Sequence, residues 1–354
     1  MKRLPPFRFC GLLPGARAFS LCLSAAMLAF AWPALACAAA GPADTSPGAE
    51  AAARPADPMP PAEAIAPTNL GATDVVPAAI AATTRPGAVA HPALWRLSRG
   101  ATTIYLFGTV HALPAGVDWF AGPVARAYGA SGELVTEIID RSPAEMRAIV
   151  VARARLPPGQ NLREMLARPF RARFEQTLRT SGLPVNAFDG FRPWYAAVVL
   201  STRPLLASGF DPALGADAEL AARATREARK HEALETAEYQ LGLFATLPSA
   251  TQLRYLREVV RDMPSIQREL HAMVHAWEAG DAPHLARLMN EDNDDPHMRE
   301  LLLVDRNKAW AQWISARLSR PGTVFVAVGA GHLAGPESVQ AQLAAMGISA
   351  TRIQ

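Results

Sequence analysis

Residues 323–335 read "TVFVAVGAGHLAG". The apolar, β-branched run has the length and composition of a buried strand. It stops on Gly329-Ala330-Gly331 and then presents His332. Residues 103–113, "TIYLFGTVHAL", follow the same plan: an apolar run, Gly108, two residues, then His111. The chain has eight histidines, and these two share a local context at opposite ends of one long segment. Glycine lets a backbone bend sharply or be approached closely. Neutral imidazole is both a common metal ligand and the natural base near pH 7. Gly108, Gly329 and Gly331 are therefore read as motif glycines, and His111 and His332 as candidate site residues.

Working outward, "GELVTEII" (132–139) and "HEALET" (231–236) are two further strand candidates, alongside 102–109 and 323–330. Helical periodicity fills the spaces between them, over 142–181, 191–230, 249–280 and 296–319. Pro157, Pro158, Pro169, Pro184, Pro193 and Pro204 break the first two of these. Strands separated by helices predict an α/β fold with a mostly parallel central sheet flanked by helices. Residues 140–215 carry only helical signal and predict a helical cap beside the sheet. No internal repeat is found beyond the paired G-x-x-H.

Each predicted strand ends near a chemically useful side chain: His111, Glu137, Glu235 and His332. Open parallel sheets bind ligands at the carboxyl ends of their strands. Four parallel strands would bring two imidazoles and two carboxylates together there. Glu137 falls inside an apolar run, where an unpartnered carboxylate is costly, so it needs an arginine or a metal. Glu235 and Glu238 lie at a strand-to-helix turn, with Glu235 the better placed for a site. Arg306, in "LLLVDRNKAWAQWI", follows an aliphatic stripe and precedes Trp310 and Trp313. It is read either as a solvated or structural residue, or as a guanidinium for a substrate carboxylate or oxyanion.

Other patterns carry less. His271 and His275 are four apart on a helix with Glu278 one turn on, but the order lacks the H-E-x-x-H glutamate. They are read as part of an ordinary amphipathic helix. "NEDNDDP" (290–296) lacks the glycine and terminal glutamate of a calcium loop and reads as solvated. There is no G-x-S-x-G, Walker A or dinucleotide fingerprint.

The N-terminal region has a separate character. Lys2, Arg3, Arg8 and Arg17 precede an apolar stretch that ends on the small residues Ala34-Leu35-Ala36. That order predicts a signal peptide over 1–40, hence an exported protein, periplasmic or secreted. Cys37 follows Ala36 and could carry a lipid, although Ala34 stands where a lipoprotein signal has leucine. Cys10, Cys22 and Cys37 are the chain's 3 cysteines, so the remainder has no disulfide. The four basic residues named above belong to the 35 Lys+Arg, and residues 1–40 hold none of the 32 Asp+Glu. The rest is near neutral, which argues against a nucleic-acid partner. Residues 41–92, rich in Ala and Pro, cannot bury a core and predict a disordered linker, compatible with a membrane tether. Residues 93–354 are the predicted folded domain.

The segments 94–114, 133–138, "FRPWYAAVVL" (191–200), 217–244, "LLVDRNKAWAQWI" (302–314) and 324–347 together resemble the TraB/GumN family, whose eukaryotic relatives include the Tiki metalloproteases. The resemblance implies a fold similar to erythromycin esterase-like and haem-protein ChaN-like domains. It implies a site of His111, His332, Glu137 and Arg306, with Glu235 as a further member. The Tiki branch cleaves peptides with a divalent cation such as Mn²⁺ or Co²⁺, and a two-His, carboxylate set suits Zn²⁺ as well. The expectation is therefore a metal-dependent hydrolase acting on a peptide or another amide or ester. His111 and His332, with Glu137 or Glu235, would hold the metal, the other glutamate would act as base, and Arg306 would stabilise developing charge or fix a substrate carboxylate. The alternative is a binding protein without turnover, holding a peptide or tetrapyrrole in the same cleft.

Overall fold

The computed structural model describes residues 89–139, 141–291 and 295–354. The signal-peptide prediction for 1–40, Cys37 included, and residues 41–88 of the linker prediction lie outside them. Residues 89–92, assigned to the linker from composition, are instead fastened to the domain. Ala90 is buried, its N–H donates to Asp118 O (2.8 Å), and His91 N–H donates to Glu278 O (2.7 Å).

The strands are β1 (Leu94–Arg99), β2 (Thr102–Thr109), β3 (Glu133–Thr136), β4 (Lys230–Ala233), β5 (Gly322–Gly329) and β6 (Thr351–Arg352). They form one sheet in the order β4-β3-β5-β2-β1-β6. The four predicted strands are parallel neighbours. β1 and β6 add an antiparallel edge, so the sheet is mixed and mostly parallel. The edge had no sequence signal of its own: "LWRLSR" interleaves charge with apolar residues, and β6 is only two residues long.

Helices cover both faces. They are α1 (Gly122–Ala130), α2 (Pro143–Ala154), α3 (Arg168–Thr180), α4 (Pro193–Ala207), α5 (Ala216–Arg226), α6 (Ala237–Thr246), α7 (Ser249–Glu278), α8 (Asp305–Arg317) and α9 (Val339–Ala345). The long central strands are apolar on both sides because both sides are buried. Ile104 and Leu106 of β2, with Val324, Val326 and Val328 of β5, face Trp310 and Ile314 of α8 and Leu343 of α9. The alternate residues, Phe107 and Phe325, face Trp119, Tyr128, Leu220 and Trp277.

The predicted cap exists but is larger than 140–215. Phe174, Trp194 and Tyr195 share a core with Phe244 of α6 and with Tyr255 and Val259 of α7. The helical stretch expected over 191–230 divides into α4 and α5. Between them Phe210–Asp211 pairs with Leu113–Pro114, and Ala216 N–H donates to Val110 O (2.9 Å). That break swings the start of α5 against the loop carrying His111. A Cβ on Gly215 would meet His111 O at 2.5 Å, so no larger residue fits the approach.

Candidate functional site

His111, Glu137, Glu235 and His332 come from the ends of β2, β3, β4 and β5, and Arg306 descends from the first turn of α8. In the register of β2 against β5, Thr109 lies opposite Gly329, so the two G-x-x-H turns stand side by side. A Cβ built on Gly329 would lie 3.1 Å from Glu137 Oε1, 3.7 Å from His111 Nε2 and 3.7 Å from His332 Cδ2. The glycine is the floor on which three functional side chains meet. Gly108 has a packing reason: its Cβ would sit 3.0 Å from Ala330 Cα, in the turn that presents His332. Gly331 is buried in the same turn.

Arg306 is buried and all its donors are used. Nε donates to Glu235 Oε1 (3.0 Å), and Nη2 to Glu235 Oε2 (2.9 Å) and Glu137 Oε2 (2.7 Å). Nη1 donates to Leu302 O (3.3 Å) and to His332 Nε2 (3.1 Å). A guanidinium has five N–H groups and no acceptor, so none is left for a substrate. The expected role for Arg306, gripping a substrate carboxylate or oxyanion, does not fit this arrangement. It is the cation that holds the other groups in place. Five turn residues, Glu300–Val304, form a π-helical segment just before it; a one-residue widening of this kind resets which side chains face a site.

His332 can only accept from Arg306, so its Nδ1 carries the proton and donates to Asn307 Oδ1 (2.7 Å). Asn307 Nδ2 in turn donates to Glu337 O (2.8 Å). The ring packs on Trp310 at 4.4 Å between centroids. Burial, with the Arg306 charge beside it, holds the His332 pKa down to about 3. The imidazole is neutral at any physiological pH.

The Glu235 side chain is buried and committed. Besides Arg306, it accepts from Trp310 Nε1 (2.9 Å) and Gln240 Nε2 (2.9 Å). It does not line the cleft with His111, and its oxygens are occupied as the counter-ion of Arg306. Glu238, the neighbouring alternative, pairs with Arg141 (3.2 Å) at the surface. Glu137 accepts from Gly329 N–H (2.7 Å), Gln240 Nε2 (3.0 Å) and Arg306. Burial alone would raise its pKa, but Arg306 and the two histidines outweigh it, and Glu137 stays a carboxylate well below the usual range.

His111 differs from the others. Its Nδ1–H donates to Asp217 Oδ2 (2.9 Å). Burial opposes the imidazolium, yet Asp217, helped by Glu137, raises the pKa to about 9. His111 and Asp217 line a cleft of about 490 Å³, counting its open mouth, with Thr109, Thr136, Glu137 and Gln240. Sequence reading missed Asp217, Gln240 and Asn307. Asp217 opens α5 with no strand before it, and the two amides sit inside helices without any motif.

Residues 93–352 match the model of the TraB/PrgY/gumN family. The chain belongs to that family. A TraB/PrgY/gumN chain is thus built on a mixed, mostly parallel sheet with both G-x-x-H turns at one end. A Treponema pallidum (strain Nichols) protein called "Uncharacterized protein" is 21% identical over 260 residues, covering 69% of this chain and 78% of its own. No solved structure matches the chain, so the erythromycin esterase-like and ChaN-like fold comparison rests on the sequence resemblance.

As arranged, the expected set of His111, His332 and Glu137 is not free to hold a divalent ion. The His332 Nε2 lone pair is taken by Arg306, and the same guanidinium is shared between Glu137 and Glu235. His111, Glu137 and Asp217 remain on the cleft, and Asp217 Oδ2 already holds His111 Nδ1–H. Among the described residues, no group of three or more His, Cys, Asp or Glu is arranged to hold a metal. His271 and His275 also stay apart from metal chemistry: His275 pairs with Glu278 (3.3 Å), and His271 packs edge-on to Phe210. Titrating the domain with Mn²⁺, Co²⁺ and Zn²⁺ is expected to give no rise in melting temperature that His332→Ala abolishes. A site filled to a hundredfold excess over Kd would stabilise by about 2.7 kcal/mol, so a His332-dependent rise of that order would overturn the arginine-centred reading.

Proposed function

We propose that this chain is a hydrolase of amide or ester bonds, in which the His111–Asp217 pair carries the proton. The observation that supports this best is the orientation of His111. With Nδ1–H fixed on Asp217, Nε2 is the nitrogen left for chemistry, and the ring lines the open cleft. It is also the cleft-lining group, among those described, whose pKa of about 9 lets it exchange a proton at moderate pH. Glu137, held strongly acidic by Arg306, is a poor base and acts on His111 through its charge.

In the proposed step, neutral His111 Nε2 takes a proton as a water oxygen attacks the carbonyl carbon, and the carbonyl oxygen becomes an oxyanion. Asp217 and Glu137 stabilise the imidazolium that forms. Collapse of the intermediate breaks the bond from carbon to nitrogen or oxygen, and His111 returns the proton to the leaving amine or alcohol. One water is consumed and one carboxylic acid is released. The basic, apolar, small-residue order of residues 1–40 supports placing this activity outside the cytoplasm, on envelope or extracellular substrates such as peptides.

The test is mass spectrometry of a mixed, unblocked peptide library incubated with the full domain, with and without added Mn²⁺, Co²⁺ or Zn²⁺. Products gaining one water, formed by wild type and absent with His111→Ala, are expected. No cleavage by wild type under any of these conditions, in folded protein, would refute the hydrolase.

A further inference from the structure

Thr109 is the unexplained member of the cleft. It is the second residue of Gly108-Thr109-Val110-His111 and ends β2. The residue is 2% exposed, and its hydroxyl oxygen has no hydrogen-bond partner, yet Thr109 lines the cleft with His111 and Glu137. A buried hydroxyl without a partner is unfavourable, and valine would fill the same volume without that cost. Thr109 stands opposite Gly329 in the β2–β5 register, beside the floor on which His111, Glu137 and His332 meet.

The other cleft donors are committed. The Thr136 hydroxyl donates to Ile138 O (2.8 Å) and accepts from His231 Nε2 (2.8 Å). Gln240 Nε2 donates to Glu137 (3.0 Å) and Glu235 (2.9 Å). Glu137 and Asp217 are anionic and would repel an oxygen that gains negative charge. A carbonyl reacting in this cleft needs a donor that is free, already desolvated and held by a rigid strand. Such donors act most strongly where water is excluded.

We infer that the Thr109 hydroxyl is a substrate-binding group that donates its hydrogen bond to the carbonyl oxygen of the bond being cleaved. This rests on the hydrolase reading above. It gives the first G-x-x-H turn two functions, His111 moving the proton and Thr109 receiving the charge on oxygen. Asp217 Oδ1 is a second buried cleft atom without a partner. It is an acceptor on a residue that lines the same cleft, and a secondary amide would offer it an N–H where an ester offers none. The class of substrate that this pair of unpaired atoms favours is therefore the peptide bond.

The experiment compares wild type, Thr109→Val and Thr109→Ser in three measurements. These are melting temperature, kcat and KM on the best peptide of the library, and calorimetric binding of a phosphonate analogue of that peptide, or of a simple dipeptide phosphonate if none is cleaved. Thr109→Val is expected to melt at or above the wild-type temperature, to lose 10²–10³-fold in kcat with KM within about threefold, and to bind the phosphonate correspondingly more weakly. Thr109→Ser is expected to recover most of the activity. A stable Thr109→Val with wild-type kcat and phosphonate affinity overturns the assignment while leaving the hydrolase standing. Thr109-dependent phosphonate binding without turnover by wild type keeps Thr109 as a ligand-binding donor but overturns its part in cleavage together with the hydrolase. Neither turnover nor phosphonate binding by wild type overturns both.

Discussion

Arg306→Met is expected to destabilise the domain by about 3–5 kcal/mol, the usual cost of leaving buried charge without its partner. The guanidinium is shared by Glu137, Glu235, His332 and Leu302 O, so its loss leaves two buried carboxylates near one another with no cation. At least one must then take up a proton, which raises its pKa. The variant should therefore regain stability as pH falls from 7 to 5. Arg306→Lys should rescue little, because a lysine has three donors on a point charge where the site uses five on a planar fork. Urea denaturation at pH 7 and pH 5 measures both effects. A loss below about 1 kcal/mol at pH 7, with no gain at pH 5, would mean that the arginine does not organise the site. Adding Glu137→Gln and Glu235→Gln to Arg306→Met is expected to restore much of the stability, since the charges that needed the guanidinium are gone.

Asp217→Asn is expected to lower kcat/KM by 10²–10⁴ near neutral pH, the range for a positioned proton carrier, while leaving the fold intact. In wild type kcat/KM should rise with pH towards the His111 pKa of about 9, because the neutral imidazole is the base. Without Asp217, burial pulls the pKa down, and the rising limb moves to lower pH. A merely structural Asp217 would change rate without moving the limb. Stability follows the same linkage with a definite sign. The His111 pKa is raised by folding, so its contribution is complete below about pH 6.5 and is lost as pH rises through about 9. His332 has the opposite sign. Its pKa falls to about 3, so its contribution is present above about 6.5 and is lost as pH falls towards 3. Melting temperature against pH should show both flanks in wild type. The alkaline flank should be missing in Asp217→Asn and the acid flank weakened in His332→Gln.

Much of the sheet could be read directly. Parallel strands covered on both sides must be apolar throughout, so 102–109 and 323–330 announced themselves, and the residue after each apolar run marked the end where side chains converge. His111, Glu137, Glu235 and His332 are found this way, Arg306 is read from a helix after an aliphatic stripe, and the five do meet. The antiparallel edge escaped, because β1 is half solvated and mixes charge with apolar residues. Asp217 escaped because the signal that places it, a close approach at Gly215 to His111 O, is a contact between segments 104 residues apart.

The sequence by itself determined which strand-end side chains gather and at which end of the sheet, since strand periodicity and glycine hinges are local properties of the chain. Only the tertiary structure decided what each of them does. A carboxylate, an imidazole and a guanidinium have open roles until their lone pairs and N–H groups are matched to partners. Arg306 takes up Glu235 and His332, and Asp217 claims His111 Nδ1. Those matches run across the ends of three strands and two helices, and a hydrogen bond spends a donor that no residue pattern can show to be spent.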